Sequence, residues 1–308
     1  MPLNPRLSEY TDDPLYHFGL NKDMHLVESV DLNEKTLPEL FGDTRIVCMG
    51  GSPLRAERFA KQLATEFPHF GVDPKKPRNF SLSPDRLHLY KIGPLLSISH
   101  GMGIGSIRIA IHEITKLLFY AGEDTRKILH NVEYIRIGTS GGIGADLGDV
   151  VLSRQAIHPR TLKPVDEIYR MGETYQYPAV FDPALRERIF ASRGDITVII
   201  GDTLTSNGFY EEEPNTHGAL DEYTEEELHR DVPKLIAMGV RNVEMEAAAL
   251  AGFCGPTRAN IPAADICTVV DPIGVPIKSS KEELKTFSAR AQQVVVNYIK
   301  SRLHEGTL

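Results

Sequence analysis

Arg136 lies in the stretch EYIRIGTSGGIG, residues 133–144, among Tyr134, Ile135 and Ile137, a run that otherwise reads as a buried strand. A guanidinium removed from water is costly unless an anion meets it. A protein carboxylate would meet it as a salt bridge, and a small bound anion would meet it as a ligand. Three glycine-rich stretches, CMGGSPLR, SHGMGIGS and RIGTSGGIG, each read as a turn behind a strand, where backbone N–H groups approach a ligand closely. The first also opens a helix, whose N-terminus favours an anion and carries Arg55 in its first turn. Arg55, Arg136 and the Thr139 hydroxyl together would suit something the size of phosphate.

A second unusual stretch is NVEMEAAAL, residues 242–250. Glu244 and Glu246 bracket Met245 where a strand meets an alanine-rich helix, and the two-residue period of a strand puts both carboxylates on one face. One carboxylate can accept from both vicinal hydroxyls of a sugar. For Glu244, a salt bridge to an arginine such as Arg241 is the competing expectation. Nucleotide-cofactor readings fare worse. G-x-G-x-x-G starting at Gly101 meets Ser106, the pattern starting at Gly142 meets Leu147, and no G-x-x-x-x-G-K-[ST] occurs, which argues against NAD and against a P-loop. The eleven histidines show no H-E-x-x-H spacing and the three cysteines no C-x-x-C spacing, so no metal site is expected.

The elements that must carry these residues follow from hydrophobic periodicity. Residues 45–50, RIVCMG, read as a first buried strand. A helix follows, with Ser52 as N-cap, Pro53 in the first turn and an apolar stripe of Leu54, Phe59, Leu63 and Phe67. Residues 68–84, with four prolines and the basic KKPR, read as a long loop. Residues 86–101 give two short strands broken at Gly93-Pro94, and Ile104, Ile107, Ile111, Ile114 and Leu118 then mark a helix packed on a sheet. Further strands are predicted at 133–137, 150–153, 196–200, 240–245 and 266–270. Helices are predicted at 224–238 and 280–303, opened by Thr224/Glu227 and Ser280/Glu283 capping boxes. Strands alternating with helices predict an α/β domain with a mainly parallel sheet and ligands at the carboxyl ends of its strands.

A chain of 308 residues with 25% charged residues reads as one large globular domain, preceded by a polar, proline-containing arm over residues 1–44. The formal net charge of −8 argues against a general binder of nucleic acid or lipid headgroups. No signal sequence or long apolar run is read, and Cys48, Cys254 and Cys267 read as buried thiols, so the cytoplasm is the expected compartment.

Gly51-x-x-x-Arg55, HGMGIGSIRIAIHE, RIGTSGGIGADLGDVV and NVEMEAAAL, in this order and spacing, resemble the nucleoside phosphorylase family that includes uridine phosphorylase and the hexameric type of purine nucleoside phosphorylase. SPDRLHLYKIGPLLSISHGMGI and GFYEEEPNTHGALDEYTEEE look closest to the animal-type uridine enzymes. The resemblance implies a single α/β domain, residues 45–308, whose mixed central β-sheet curves into a distorted barrel flanked by α-helices, with the 1–44 arm contributing to a homodimer. It implies a pentosyltransferase of nucleoside catabolism and pyrimidine salvage, converting uridine and phosphate to uracil and ribose 1-phosphate without a metal or organic cofactor.

Residue by residue, the resemblance places phosphate on Gly51, Arg55, Arg136 and Thr139, with Arg86 arriving from the partner subunit. Ribose falls to Thr139, Met245 and Glu246, with His17 reaching the 5′-hydroxyl across the dimer. The base falls to Ser140, Gly141, Phe209, Glu213, Asn215 and Glu244. Arg136 would orient the nucleophile, and Glu246 would stabilise the positive charge that grows on the sugar as the C1′–N bond lengthens.

Two departures bear on the base. Uridine phosphorylases read uracil with a Gln and an Arg two residues apart, whereas counting on from Phe209-Tyr210 gives Glu213 and Asn215 here. An ionised Glu213 only accepts hydrogen bonds. Either it takes the N3–H of uracil, or other residues read the base, or the base differs and is, for example, a purine. Asp271 in ICTVVDPIG stands where the purine enzymes carry the aspartate that protonates the leaving base, although capping a turn before Pro272 would also explain it. A purine or mixed-specificity phosphorylase and a catalytically weak nucleoside-binding homologue therefore stand beside the uridine reading.

Overall fold

The computed structural model describes residues 4–9, 15–20, 36–83, 87–122, 129, 131–216, 218–220, 223–273 and 280–308. The chain forms two compact units, Met1–Ile135 with Pro256–Pro262, and Arg136–Gly255 with Ala263–Leu308. The boundary falls inside one strand.

The first unit holds α1 (Leu37–Phe41), β1 (Ile46–Gly50), α2 (Pro53–Glu66), β2 (Leu89–Ile92), β3 (Leu95–Ser99), α3 (Gly103–Ala121) and the opening residues of β4 (Glu133–Gly142). β1 lies parallel to β3, and β2 folds back antiparallel on β3 across Gly93-Pro94, where the sequence breaks the strand. α2 starts as read: the Ser52 hydroxyl accepts from the Arg55 N–H at 3.3 Å. Its buried face is Ala56, Phe59, Ala60, Leu63 and Ala64, whereas Leu54 lies outside it and is exposed. α3 buries Ile107, Ile111, Ile114 and Leu118. α1, opened by a Thr36/Glu39 capping box, falls in the segment read as an arm and is too short to show periodicity.

The second unit holds the rest of β4, then β5 (Val150–Ile157), β6 (Val165–Arg170), β7 (Glu173–Pro178), α4 (Pro183–Ala191), β8 (Val198–Thr205), α5 (Glu225–Ala237), β9 (Val240–Glu244), α6 (Ala247–Cys254), β10 (Ala263–Pro272), α7 (Lys281–Ser288) and α8 (Arg290–His304). Its strands run in the order β10-β5-β8-β9-β4, and β10 also pairs with β4, so five strands close into a barrel. The sheet is mixed rather than mainly parallel. β8 is parallel to β5 and β9 to β8, with α4 and α5 supplying the crossovers that parallel neighbours need, while β10 meets β5 and β4 meets β9 antiparallel. Leu204 and Val243 pack with Leu235 and Val232 of α5, so strand alternation turns Thr203, Thr205, Asn242 and Glu244 to the enclosed side.

The stretch RIGTSGG is strand, not turn: β4 runs through it to Gly142. Its glycines permit close packing instead. A Cβ on Gly138 would stand 2.9 Å from both Arg136 Nη1 and Cys267 Sγ, and one on Gly142 would stand 2.5 Å from the Ala145 carbonyl. Gly138→Ala is therefore expected to destabilise the fold by about 1–3 kcal/mol through overpacking, read as a lower urea midpoint at unchanged slope. Both predicted capping boxes form, but the helix predicted over 280–303 is two helices parted at Ala289.

Candidate active site

Inside the second unit the Arg136 side chain is only 4% exposed. Its Nη1 donates to Asp265 Oδ1 at 2.7 Å, lies 3.0 Å from Glu244 Oε2 and reaches Cys267 Sγ at 3.1 Å. Its Nη2 donates to the Glu246 carboxylate. The buried Nε donates to no group among the described residues. Burial by itself favours the neutral form, but Glu246, Glu244 and Asp265 outweigh it and hold the guanidinium well above its ordinary range. The salt-bridge expectation is thus met by three carboxylates. The Nε–Nη2 edge, the fork that a tetrahedral oxyanion grips side-on, has Glu246 as its one carboxylate among the described residues.

Glu244 ends β9 and caps α6. Its carboxylate accepts the N–H of Glu246 at 2.7 Å and of Ala247 at 3.0 Å, together with the Thr205 hydroxyl at 2.8 Å. A carboxylate is favoured at a helix N-terminus because the first backbone N–H groups have no partner inside the helix. Burial pushes the Glu244 carboxyl up, Asp265 and Glu246 push the same way, and Arg136 opposes them. Arg136, not Arg241, is its cationic partner: Arg241 Nη1 donates to the carbonyls of Ile236 and Val240. Glu246 occupies the N-cap position of α6, with its side chain 6% exposed, and Met245 between the two acids is half-buried.

The loop after β8 brings Glu213 into the same unit. Glu213 is buried, and Ser206 donates its hydroxyl to Glu213 Oε1 at 2.9 Å while its N–H donates to the Glu244 carbonyl. Burial pushes the Glu213 carboxyl up to about 7, with Ser206 opposing and the charges of Glu246 and Asp271 reinforcing. The Asn215 amide donates to the Phe209 carbonyl at 2.6 Å and so closes the loop, while the Phe209 ring is exposed and set edge-on to Tyr210. Asp271 is half-buried within β10. On β4, Ser140 accepts from the Asn242 amide at 3.1 Å, and Thr139 and Gly141 alternate to the opposite face.

In the first unit, Gly51 lies in the β1–α2 turn and Arg55 in the first turn of α2, and a Cβ on Gly51 would make only an ordinary contact, 3.6 Å from the Gly101 carbonyl. The His17 N–H donates to Glu113 Oε2 at 3.1 Å. Arg86 lies outside the described residues. Sequence reasoning missed Asp265, Ser153, Thr203 and Ser206. For Asp265 a signal exists: an acid inside the apolar run AADICTVV is as anomalous as an arginine inside YIRI.

A sequence profile described as the phosphorylase superfamily matches residues 45–300. "Uridine phosphorylase 1" of Mus musculus is 35% identical, over 97% of this chain and 92% of its own. "Inactive uridine phosphorylase B" of Schistosoma mansoni is 33% identical, over 97% and 95%. The crystal structure of uridine phosphorylase from Schistosoma mansoni in complex with uracil superposes with a TM-score of 0.83 at 31% identity, covering 97% of this chain and 98% of that one.

Proposed function

The chain belongs to the phosphorylase superfamily, and on that premise we propose that it cleaves a nucleoside with inorganic phosphate, uridine to uracil and ribose 1-phosphate, as a pentosyltransferase. The observation that carries this reading is the Arg136–Glu246 pair, a buried cation suited to phosphate beside a carboxylate suited to sugar hydroxyls. Both substrates act on that pair. Phosphate takes the Nε–Nη2 edge of Arg136, and the Glu246 carboxylate so released accepts from the ribose hydroxyls and opposes the charge that grows at C1′. Met245 and Ser140 are the further sugar and base contacts of this reading, and Thr139, Gly141, Phe209, Asn215, Glu244 and Asp271 its remaining candidates. The reaction is redox-neutral and needs no metal or organic cofactor, so EDTA is expected to leave the rate unchanged. The reading also includes a cytoplasmic homodimer with His17 and Arg86 donated across the interface, of which sedimentation of the purified protein tests the dimer.

The Glu213 departure fits uracil once its protonation is considered. A neutral carboxyl presents one O–H donor and one carbonyl acceptor, the same pair a carboxamide presents, and that pair complements the N3–H and a carbonyl of uracil. Because burial holds Glu213 up to about 7, uridine cleavage is expected to persist below that pH and to fall as pH rises through it. Glu213→Gln, which keeps donor and acceptor at every pH, is expected to remove that alkaline fall, and a fall that persists unchanged would reject the assignment. The linkage has the same sign: the folded chain keeps a proton that the unfolded chain releases near 4.5, so this group's contribution to stability is lost as pH rises from there to about 7.

The direct test is an ultraviolet assay of uridine, thymidine, inosine and adenosine, each with and without phosphate. Phosphate-dependent cleavage of uridine is expected. Strong cleavage of inosine with none of uridine would move the reading to the purine alternative, which Asp271 favours. No turnover of any nucleoside would favour a binding homologue.

A further inference from the structure

Asp265 is fully buried on β10 and spends both carboxylate oxygens inside the barrel. Oδ1 accepts from Arg136 Nη1 at 2.7 Å, and Oδ2 accepts from the Ser153 hydroxyl of β5 at 2.7 Å. Ser153, its one proton given to Asp265, accepts at 2.6 Å from the Thr203 hydroxyl of β8, whose single proton is shared with Asn242 Oδ1 of β9 at 2.8 Å, and Asn242 donates to the Ser140 hydroxyl at 3.1 Å. Ser140 is on β4, four residues beyond Arg136 and on the same face. The contacts therefore form a belt that visits all five strands of the closed sheet and returns to the strand where it began.

The belt divides the Arg136 guanidinium into two ends. Nη1 is held by Asp265 and Glu244, whose side chains are 0% and 1% exposed and are themselves tied down by Ser153 and by the start of α6. Nη2 is held by Glu246, the most exposed of the three acids, and it shares an edge with Nε.

We propose that Asp265 is a positioning residue: it pins the Nη1 end of Arg136 so that the Nε–Nη2 edge faces the incoming phosphate, and Ser153, Thr203 and Asn242 carry the same placement round the barrel to Ser140. The proposal rests on the phosphorolytic reading above. It differs from a purely structural role in one consequence. Breaking the belt at its Arg136 end should weaken phosphate alone, and breaking it near Ser140 should weaken the nucleoside alone.

The test compares the intact protein with Asp265→Asn and Thr203→Val in steady-state kinetics, with calorimetric titration of inorganic phosphate and thermal unfolding of each. Asp265→Asn removes the charge at constant shape and is expected to raise the phosphate KM and Kd by roughly ten- to a hundredfold, by analogy with the loss of a partner that orients a metal ligand, with the nucleoside KM within about twofold. Thr203→Val keeps shape, cuts the belt between Asp265 and Asn242, and is expected to show the reverse split. Should Asp265→Asn fail to fold, Ser153→Ala frees Oδ2 alone and is expected to raise the phosphate KM in the same direction by a smaller factor. A folded Asp265→Asn or Ser153→Ala that leaves phosphate untouched, or that weakens both substrates alike, overturns the proposal. Failure of the unaltered protein to cleave any nucleoside would instead overturn the reading it rests on, and the phosphate titrations would still compare the variants.

Discussion

Arg136→Lys is expected to lower kcat/KM for phosphate by about 10²–10³ while leaving the protein folded. Lysine keeps the positive charge among Glu244, Glu246 and Asp265 but offers a point charge where arginine offers a planar fork, so the two-point grip on phosphate and the hydrogen bond to Asp265 Oδ1 are not both made. Arg136→Ala is a different experiment. It leaves three carboxylates together, all nearly excluded from water, and removal of one side of a buried ion pair costs about 3–5 kcal/mol, so this variant is expected to lose much of its stability as well as its activity. Kinetics with phosphate varied, paired with a urea titration, separates the two. A folded Arg136→Lys protein cleaving uridine at the unaltered rate would remove Arg136 from the reaction.

Glu246→Gln is the second large effect. Glutamine retains an oxygen that accepts from Arg136 Nη2, so folding should survive, but it carries no charge to oppose the cationic sugar as the glycosidic bond lengthens. A drop in kcat of about 10²–10³ is expected, on the scale of removing one electrostatic stabiliser of a transition state. Phosphate should bind no worse, and more tightly if anything, because the carboxylate that shares the Nε–Nη2 edge with it is gone. That opposition, slower turnover with undiminished phosphate affinity, is what a merely structural Glu246 would not produce. If kcat stays put while the unfolding midpoint falls, the carboxylate serves the pairing with Arg136 and not the reaction.

How far the residues could be read in advance depended on what surrounds them. β1, β2, β3 and α3 were legible because their apolar residues keep one periodicity from end to end. β5, β8 and β10 were read too short, and for one reason. Polar residues bound the predicted strands, with Ser153 ending the first, Gly201-Asp202-Thr203 following the second and Asp265 preceding the third, because polarity normally marks the end of a buried strand. In this barrel Ser153, Thr203 and Asp265 face the enclosed side and satisfy one another, so the strands run on through them. The same inversion hid the true role of RIGTSGG. Glycines in series signal a turn when only neighbours in sequence are considered, whereas here Gly138 makes room for a guanidinium belonging to its own strand.

The sequence by itself determined that Arg136, Glu244 and Glu246 would be charged groups on buried elements, that Glu213 and Asp271 would depart from the uridine pattern, and which family the ordered motifs resemble. Those are statements about residue type and spacing, which survive without coordinates. Which carboxylate meets which nitrogen of Arg136, why Asp265 belongs with them, and how close to neutrality Glu213 is held were decided only when β10 closed back on β4 and burial removed the water. Pairing energies and protonation depend on distance and dielectric, and residues 136, 213, 246 and 265 acquire a common distance and a common dielectric only in the folded barrel.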